Sequence, residues 1–450
     1  MSEQFSVIGK RVSRKDALEK VTGEAKYVAD LQLPGMLHAR FLRSPHAHAR
    51  IADIDTSLAE ALPGVKAILT HKNVPKVHPR AKLRYVLDET VHSAGEEVAA
   101  VAAVSREIAD EAIKLIKVNY EVLPAVFDAE EAMKPGAPLA YLSYGTNLYH
   151  GTPLLPAPRV RPDGWLPLEI GDVAKGFAEA DHIVEGAYET PMQYHCSPMP
   201  RSVLCQWTGG KLTCWACTQK PTAVWQDLAK CLGVPQSAVR VIVTYAVGGY
   251  GGKEPEETAV MAAILAKRTG RPVKAVFTRE EDVIATRHRP NYKVYEKIGV
   301  KNDGTITAMQ HKMIGNFGKD STLGYLIHGC AAVYTCNTLY PCPNTKFEGC
   351  LVLTNIDAHG SMNGFGDAEA NYCVDRALDE AAEKLGMDPV EFRLKNCMRY
   401  GTRGLTADAA LGLRGTRPAP DSELHWGIVG KDADSVSECI RKVAEEARWR

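Results

Sequence analysis

The segment Val247-Gly-Gly-Tyr-Gly-Gly-Lys-Glu254 places four glycines within five residues, between a strand-forming run and a helix-forming run. Glycine loses more backbone freedom on folding than any other residue, so such a concentration survives where the chain needs positive φ or very close backbone approach. A strand, a glycine loop and a helix N-terminus together present backbone N–H groups to an anionic or oxygen-rich ligand. The segment is not a dinucleotide fingerprint, because the G-x-G-x-x-G register fails at every start. It is not a phosphate-binding P-loop either, since Lys253 is followed by Glu254 where a Ser or Thr would coordinate magnesium. A tight structural turn remains the alternative.

A second glycine turn, Met362-Asn-Gly-Phe-Gly366, also follows a strand-like run (Phe347–Asn355) and precedes a helix (Ala368–Gly386). Two such turns in one domain are either two backbone cradles converging on one ligand or two unrelated turns. Around them the chain alternates strands and helices in an α+β pattern. Residues 1–127 read as one compact module, with a buried apolar strand in Gly95–Ser105 and a helix in Arg106–Val118. Residues 128–170, rich in Pro and Gly, read as an extended connector. Residues 171–450 read as a larger second domain, with a strand over Ala238–Val247 and helices over Pro255–Gly270, Ala368–Gly386 and from Asp388-Pro389 through Asn396. A final amphipathic helix is expected near Asp434–Ala447.

The remaining composition excludes more than it assigns. Lys plus Arg equals Asp plus Glu at 54 each, which argues against a nucleic-acid binder. The longest apolar runs, such as Ala259–Ala266, fall far short of the roughly 20 residues a membrane span needs. The polar start MSEQFSVIGKRVSRKD has no signal-like apolar core, so a cytoplasmic protein is expected. Twelve cysteines are scattered along the chain. Cys214 and Cys217 sit on a strand-like segment, where an offset of three puts the thiols on opposite faces, unsuited to zinc or a redox disulfide. Cys330, Cys336, Cys342 and Cys350 lack iron–sulfur spacing. His46, His48, His195 and His359 read as packed or solvent-facing histidines in preference to ligands.

Five segments carry a family resemblance: VTGEAKYVADLQLPGMLHARFLRSPHAHARI, GEEVAAVAAVSREIADEAIKLIKVNYEVLPAVFDAEEAM, VGGYGGKE, SMNGFG and DRALDEAAEKLGMDPVEFRLKNCM. In order and spacing they resemble the molybdenum-binding subunit of the xanthine dehydrogenase/aldehyde oxidase family. The resemblance implies an N-terminal hammerhead α+β domain followed by the first half of a molybdopterin-binding domain. It implies Mo-molybdopterin as cofactor, expected in its cytosine dinucleotide form, with the 2Fe-2S cluster and FAD on partner subunits. By the same resemblance Gly249, Tyr250 and Gly251 approach the metal's ligands, and Gln219 hydrogen-bonds an oxo group or the cofactor. Asn363, Gly364, Phe365 and Gly366 form the second cofactor-facing turn, and Glu254 faces the substrate as the catalytic carboxylate, with a helix N-cap role as its alternative.

The sequence also departs from the family pattern. Asn363 stands where the family usually has Arg, which takes a cation away from that turn. Met199-Pro200-Arg201 replaces a Glu-Pro-Arg/His motif, and Ala331 stands where purine-oxidising members place a substrate-anchoring arginine. No Gly-x-Gly-Glu segment follows before Arg450, so the general base is expected on a partner chain, as in families that split the molybdenum subunit in two. The expected partners are a second molybdopterin-binding subunit, an iron–sulfur subunit and a flavin subunit, and the expected substrate is a small aromatic or N-heterocyclic molecule. The alternatives are reductive removal of a phenolic hydroxyl, or a non-catalytic scaffold. An exposed apolar face is expected where the second half docks.

Overall fold

The computed structural model describes residues 6–79, 83–152, 155–156, 160–253, 257–320, 323–337, 339–399 and 435–449. Its largest sheet runs in the order Val239–Ile242, Lys211–Ala216, Ser202–Thr208, Val273–Val276, Leu37–Arg43, Glu97–Ala103, Val65–Thr70. Leu37–Arg43 pairs in parallel with Val273–Val276 and antiparallel with Glu97–Ala103. One backbone ladder therefore joins the N-terminal strands to strands from beyond residue 200. Every residue of Glu97–Ala103 is buried, as its continuous Val and Ala run requires of a central strand.

The helix Glu257–Thr269 buries Glu257 through Ala266 without a break, the behaviour of a helix apolar on all sides. With Leu37, Phe41, Leu212 and Val273 it makes the main apolar cluster. Gly270 ends it at φ 64°, the left-handed stop that glycine adopts without strain. The helix Arg106–Leu115 is capped by Ser105, whose side chain accepts from the Ile108 N–H, and it stops short of the expected Val118. Ile116 is already extended, and Lys117–Val122 pairs with Ala49–Asp55.

A second sheet has five strands in the order His182–Thr190, Asn291–Val300, Ile306–Asn316, Thr345–Val352, Trp165–Ile170. Asp303-Gly304, with Gly304 at φ 84°, turns the hairpin between its two longest strands. The helix Asp367–Leu385 packs on this sheet through Val374, Ala377, Leu378 and Ala381. Within residues 128–170 the structure contains the short helix Ala129–Ala132 and the edge strand Trp165–Ile170.

Two element boundaries differ from expectation. The strand expected over Ala238–Val247 stops at Ile242, because only Val239–Ile242 pairs with Lys211–Ala216 at the edge of the seven-stranded sheet. The chain then leaves the ladder five residues ahead of the glycine loop. The strand expected over Phe347–Asn355 runs instead over Thr345–Val352. Cys214 belongs to the main core whereas Cys217 packs with Val28, Met36 and Leu204 in a separate cluster, so the two thiols do face opposite sides.

Candidate functional site

The first glycine turn is built around a side chain from another segment. The Gln219 Oε1 accepts the Gly251 N–H at 3.1 Å and the Lys253 N–H at 3.3 Å, while the Gln219 N–H donates to the Lys253 carbonyl at 2.8 Å. A Cβ on Gly249 would lie 2.4 Å from Gln219 Cδ, so only glycine lets this carboxamide pass beneath the loop. Lys253 is buried, and its ammonium donates to the Val247 carbonyl at 2.7 Å, closing the loop from inside. Burial lowers its basicity, a shift partly offset by the adjoining Cys217 thiol. Tyr250, at φ 53°, is exposed at the tip. Glu254 lies outside the described residues.

The second turn repeats this geometry. Phe365 also sits at φ 53°, between Gly364 at 91° and Gly366 at 101°. Positive φ in an aromatic residue is uncommon and costs on the order of 1–3 kcal/mol, a strain that clusters at functional positions. A Cβ on Gly366 would lie 2.3 Å from the Ile327 carbonyl oxygen and 3.1 Å from the amide nitrogen of Ala331. The fully buried Ala331 therefore lies directly beneath this turn.

The two turns meet. A Cβ on Gly251 would stand 2.6 Å from the Ser361 carbonyl oxygen and 3.0 Å from the Met362 nitrogen. His195 fills the remaining gap: its ring would lie 2.6 Å from a Cβ on Gly252, and its Nε2 bonds the Ser361 carbonyl at 2.7 Å. The Arg201 guanidinium, 8% exposed, donates to the Gly252 carbonyl and pairs with Asp282 at 3.3 Å. Of the residues expected at the site, Gln219, Tyr250, Asn363 and Gly364 are exposed, Gly249, Gly251 and Phe365 are half-buried, and Gly366 is buried.

With Asn363 in place of the arginine usual there, the second turn is braced by a guanidinium from another segment. Arg289 donates from Nη2 to the Asn363 carbonyl at 2.7 Å, from Nη1 to Glu369 at 2.8 Å, and from Nε to Gln193 at 3.0 Å. This guanidinium, its charge balanced by Glu369, comes from a segment 74 residues upstream. Beside it opens a cleft of about 400 Å³ lined by Thr190, Gln193, Arg289, Glu369 and Tyr372 among others. Behind the first turn, buried Arg84 faces Glu97 at 3.1 Å, Glu257 at 3.5 Å and Glu96 at 3.6 Å. The start of the helix that follows the glycine loop is thereby tied to the N-terminal strands.

The histidines near the site are neutral hydrogen-bonding groups. Burial pushes His359 down to about 3 while its Nδ1 bonds the Asn316 carbonyl at 2.6 Å. Burial lowers His195 as well, with the Arg201 charge adding to the shift. His48 is buried against the Pro124 carbonyl, and His46 packs edge-on to Tyr120. Among the described residues, no group of three or more His, Cys, Asp or Glu side chains could hold a metal ion. No helix among them is long and apolar enough to cross a membrane.

Two family models match. The molybdopterin cofactor-binding domain covers residues 159–397, and the hammerhead domain of aldehyde oxidase and xanthine dehydrogenase covers residues 22–124. The chain belongs to the xanthine dehydrogenase/aldehyde oxidase family. A probable hypoxanthine oxidase of Escherichia coli is 32% identical over 99% of this chain and 49% of its own length. The nicotinate dehydrogenase large molybdopterin subunit of Eubacterium barkeri is 31% identical over 92% of this chain and 95% of its own length. Among solved structures, the aldehyde oxidoreductase of Desulfovibrio gigas superposes with a TM-score of 0.82 at 26% identity, covering 97% of this chain and 47% of that one. Quinoline 2-oxidoreductase of Pseudomonas putida gives 0.79 at 26% identity, over 98% and 56%. The chain thus spans about half the length of several of these relatives and nearly all of the nicotinate dehydrogenase subunit.

For a molybdopterin-binding member of this family, sequence reasoning names Lys253, His195 and Arg201 but not their roles as braces behind the turns, and misses Arg289 altogether. No local pattern marks them. Each acts on a carbonyl or carboxylate distant in sequence, apart from Lys253, whose place next to the glycines was the one available signal.

Proposed function

We propose that this chain forms, together with a second molybdopterin-binding subunit, the molybdenum centre of a dehydrogenase that hydroxylates a carbon of an aromatic or N-heterocyclic substrate. The observation that carries the reading is the backbone contact between the two glycine turns at Gly251 and Ser361. It puts the exposed Gln219, Tyr250, Asn363 and Gly364 around one junction. The nicotinate dehydrogenase large subunit, matched over nearly its whole length, favours a heterocyclic substrate and a divided molybdenum subunit.

The residues present fit a pterin-held metal. Gln219 spends its Oε1 on the loop, which leaves the Nε2 amide as the donor for a ligand oxygen. Backbone groups of Gly249, Tyr250 and Gly251, and those of Asn363 to Gly366, approach without intervening side-chain bulk and can stabilise charge on the cofactor's oxygens. The bound Mo-molybdopterin, in its cytosine dinucleotide form, supplies the redox chemistry: the substrate C–H and one water become C–OH, two protons and two electrons. The electrons leave through 2Fe-2S and FAD carried by partner subunits. Glu254 orients a substrate N–H or exchanges its proton, and the general base comes from the partner molybdopterin subunit. The Phe365 ring, held by its strained backbone, offers a flat apolar surface to a planar substrate.

The test is elemental and cofactor analysis of this chain purified with its natural partners. Molybdenum and a pterin in about one-to-one ratio with the chain are expected, and Glu254→Gln should lower turnover by roughly 10²-fold or more if the carboxylate moves a proton. A complex free of both molybdenum and pterin would refute the proposal.

A further inference from the structure

The loop leading from the strand His182–Thr190 to the strand Ser202–Thr208 does more than connect them. It sends three side chains to the two glycine turns: Gln193 reaches Arg289 and through it the Asn363 carbonyl, Arg201 reaches the Gly252 carbonyl, and His195 touches both turns directly. Of the three, His195 alone stands in the gap.

We infer that His195 is a positioning residue that sets the separation of the two glycine turns. The face of its ring lies against Gly252 so closely that a Cβ there would stand 2.6–2.8 Å from three ring atoms, and its Nε2 bonds the Ser361 carbonyl at 2.7 Å. The ring is 6% exposed, so it cannot swing away without opening the loop. Its neutral form suits the task. A neutral imidazole carries one N–H, which Nε2 donates to Ser361. Burial and the nearby Arg201 both hold the ring uncharged. A planar side chain with only two rotatable bonds holds such a gap with little loss of side-chain freedom. Gly252 and Ser361 are thereby coupled although their segments are more than 100 residues apart. That the fixed gap serves the pterin-held metal rests on the function proposed above; the coupling itself does not.

Hydrogen exchange on the full chain in its co-purified complex separates the two. The reporters are the Gly251 and Gly252 amides in the first turn and the Phe365 and Asp367 amides in the second, each hydrogen-bonded in the structure. In His195→Ala, loss of the bridging hydrogen bond should speed exchange at both sets together by roughly tenfold. In His195→Gln, whose amide nitrogen can reach the place of Nε2, exchange should return towards the wild-type rate. In Gly252→Ala, the added methyl should push the ring and speed exchange at Phe365 and Asp367, which Gly252 does not touch; adding His195→Ala should abolish that remote effect. Molybdenum and pterin content should fall several-fold in His195→Ala and recover in His195→Gln. Acceleration confined to the first turn, or no remote effect from Gly252→Ala, would overturn the inference. If His195→Ala does not fold, the Gln and Gly252 variants decide the matter alone. A wild-type complex without molybdenum refutes the proposed function and leaves the exchange result standing.

Discussion

Removing the Arg289 guanidinium should expose how costly the second turn's support is. In Arg289→Met, a side chain of similar length loses three donors: those to Gln193, Glu369 and the Asn363 carbonyl. The Arg289 and Glu369 side chains are 9% and 2% exposed and 2.8 Å apart. Breaking a buried pair from one side leaves an uncompensated charge and costs about 3–5 kcal/mol, whereas replacing both partners by neutral groups is often close to neutral. Arg289→Met should therefore destabilise the first turn of the helix Asp367–Leu385 by about 3–5 kcal/mol at pH 8, and Arg289→Met/Glu369→Gln should recover most of it. The pH dependence adds a check. Burial raises the Glu369 carboxyl above its ordinary value, with Asp367 reinforcing the shift and Arg289 opposing it. The folded form thus binds its proton more tightly than the unfolded chain does. Its stability is greatest below the ordinary carboxylate range and falls as pH rises through the raised folded value. Without Arg289 the opposing charge is gone, so the fall should deepen and extend to higher pH. Native-state hydrogen exchange at Ala370, whose N–H bonds the Gly366 carbonyl, reads the local opening free energy between pH 5 and 8. A cost below about 1 kcal/mol, or one indifferent to pH and unrelieved by the double substitution, would refute the reasoning.

Gly251→Ala combines a strained φ of 100° with a Cβ 2.6 Å from the Ser361 carbonyl oxygen. The two effects should cost about 2–6 kcal/mol locally, measured by exchange at Gly252, and unchanged exchange would contradict the observed turn-to-turn contact. Gln219→Leu removes the acceptor for two loop N–H groups and should loosen the first turn by about 1–3 kcal/mol. Gln219→Glu keeps that acceptor and should spare the loop while still lowering molybdenum retention; an ordered loop with unchanged retention would show that the amide has no ligand-facing role. Thiol titration of the native chain should count two fast cysteines, Cys196 and Cys439, because the other ten are half-buried or buried. More than three fast thiols would contradict the packing around Cys214 and Cys217.

Much of this protein was legible from the chain alone. The buried strand Glu97–Ala103, the helices ending at Gly270 and Gly386, and the opposed faces of Cys214 and Cys217 follow from periodicity, apolar runs and glycine stops, all short-range signals. The two glycine turns announced themselves because backbone that must adopt φ near +53° at Tyr250 and Phe365 needs glycine on either side. Boundaries set by sheet pairing were less visible: the strand ending at Ile242 stops with its last pairing to Trp215 of the single neighbouring strand, and no residue at 243 says so. The tertiary structure alone decided that the turns touch, that His195 lies between them, and that Arg289, paired with Glu369, braces the Asn363 carbonyl. Hydrophobic pattern and turn chemistry act over a few residues, and so are written into local sequence. A cation or an imidazole acts wherever folding carries it, and its partner's carbonyl is the same group on every residue, leaving no trace in the sequence to pair the two.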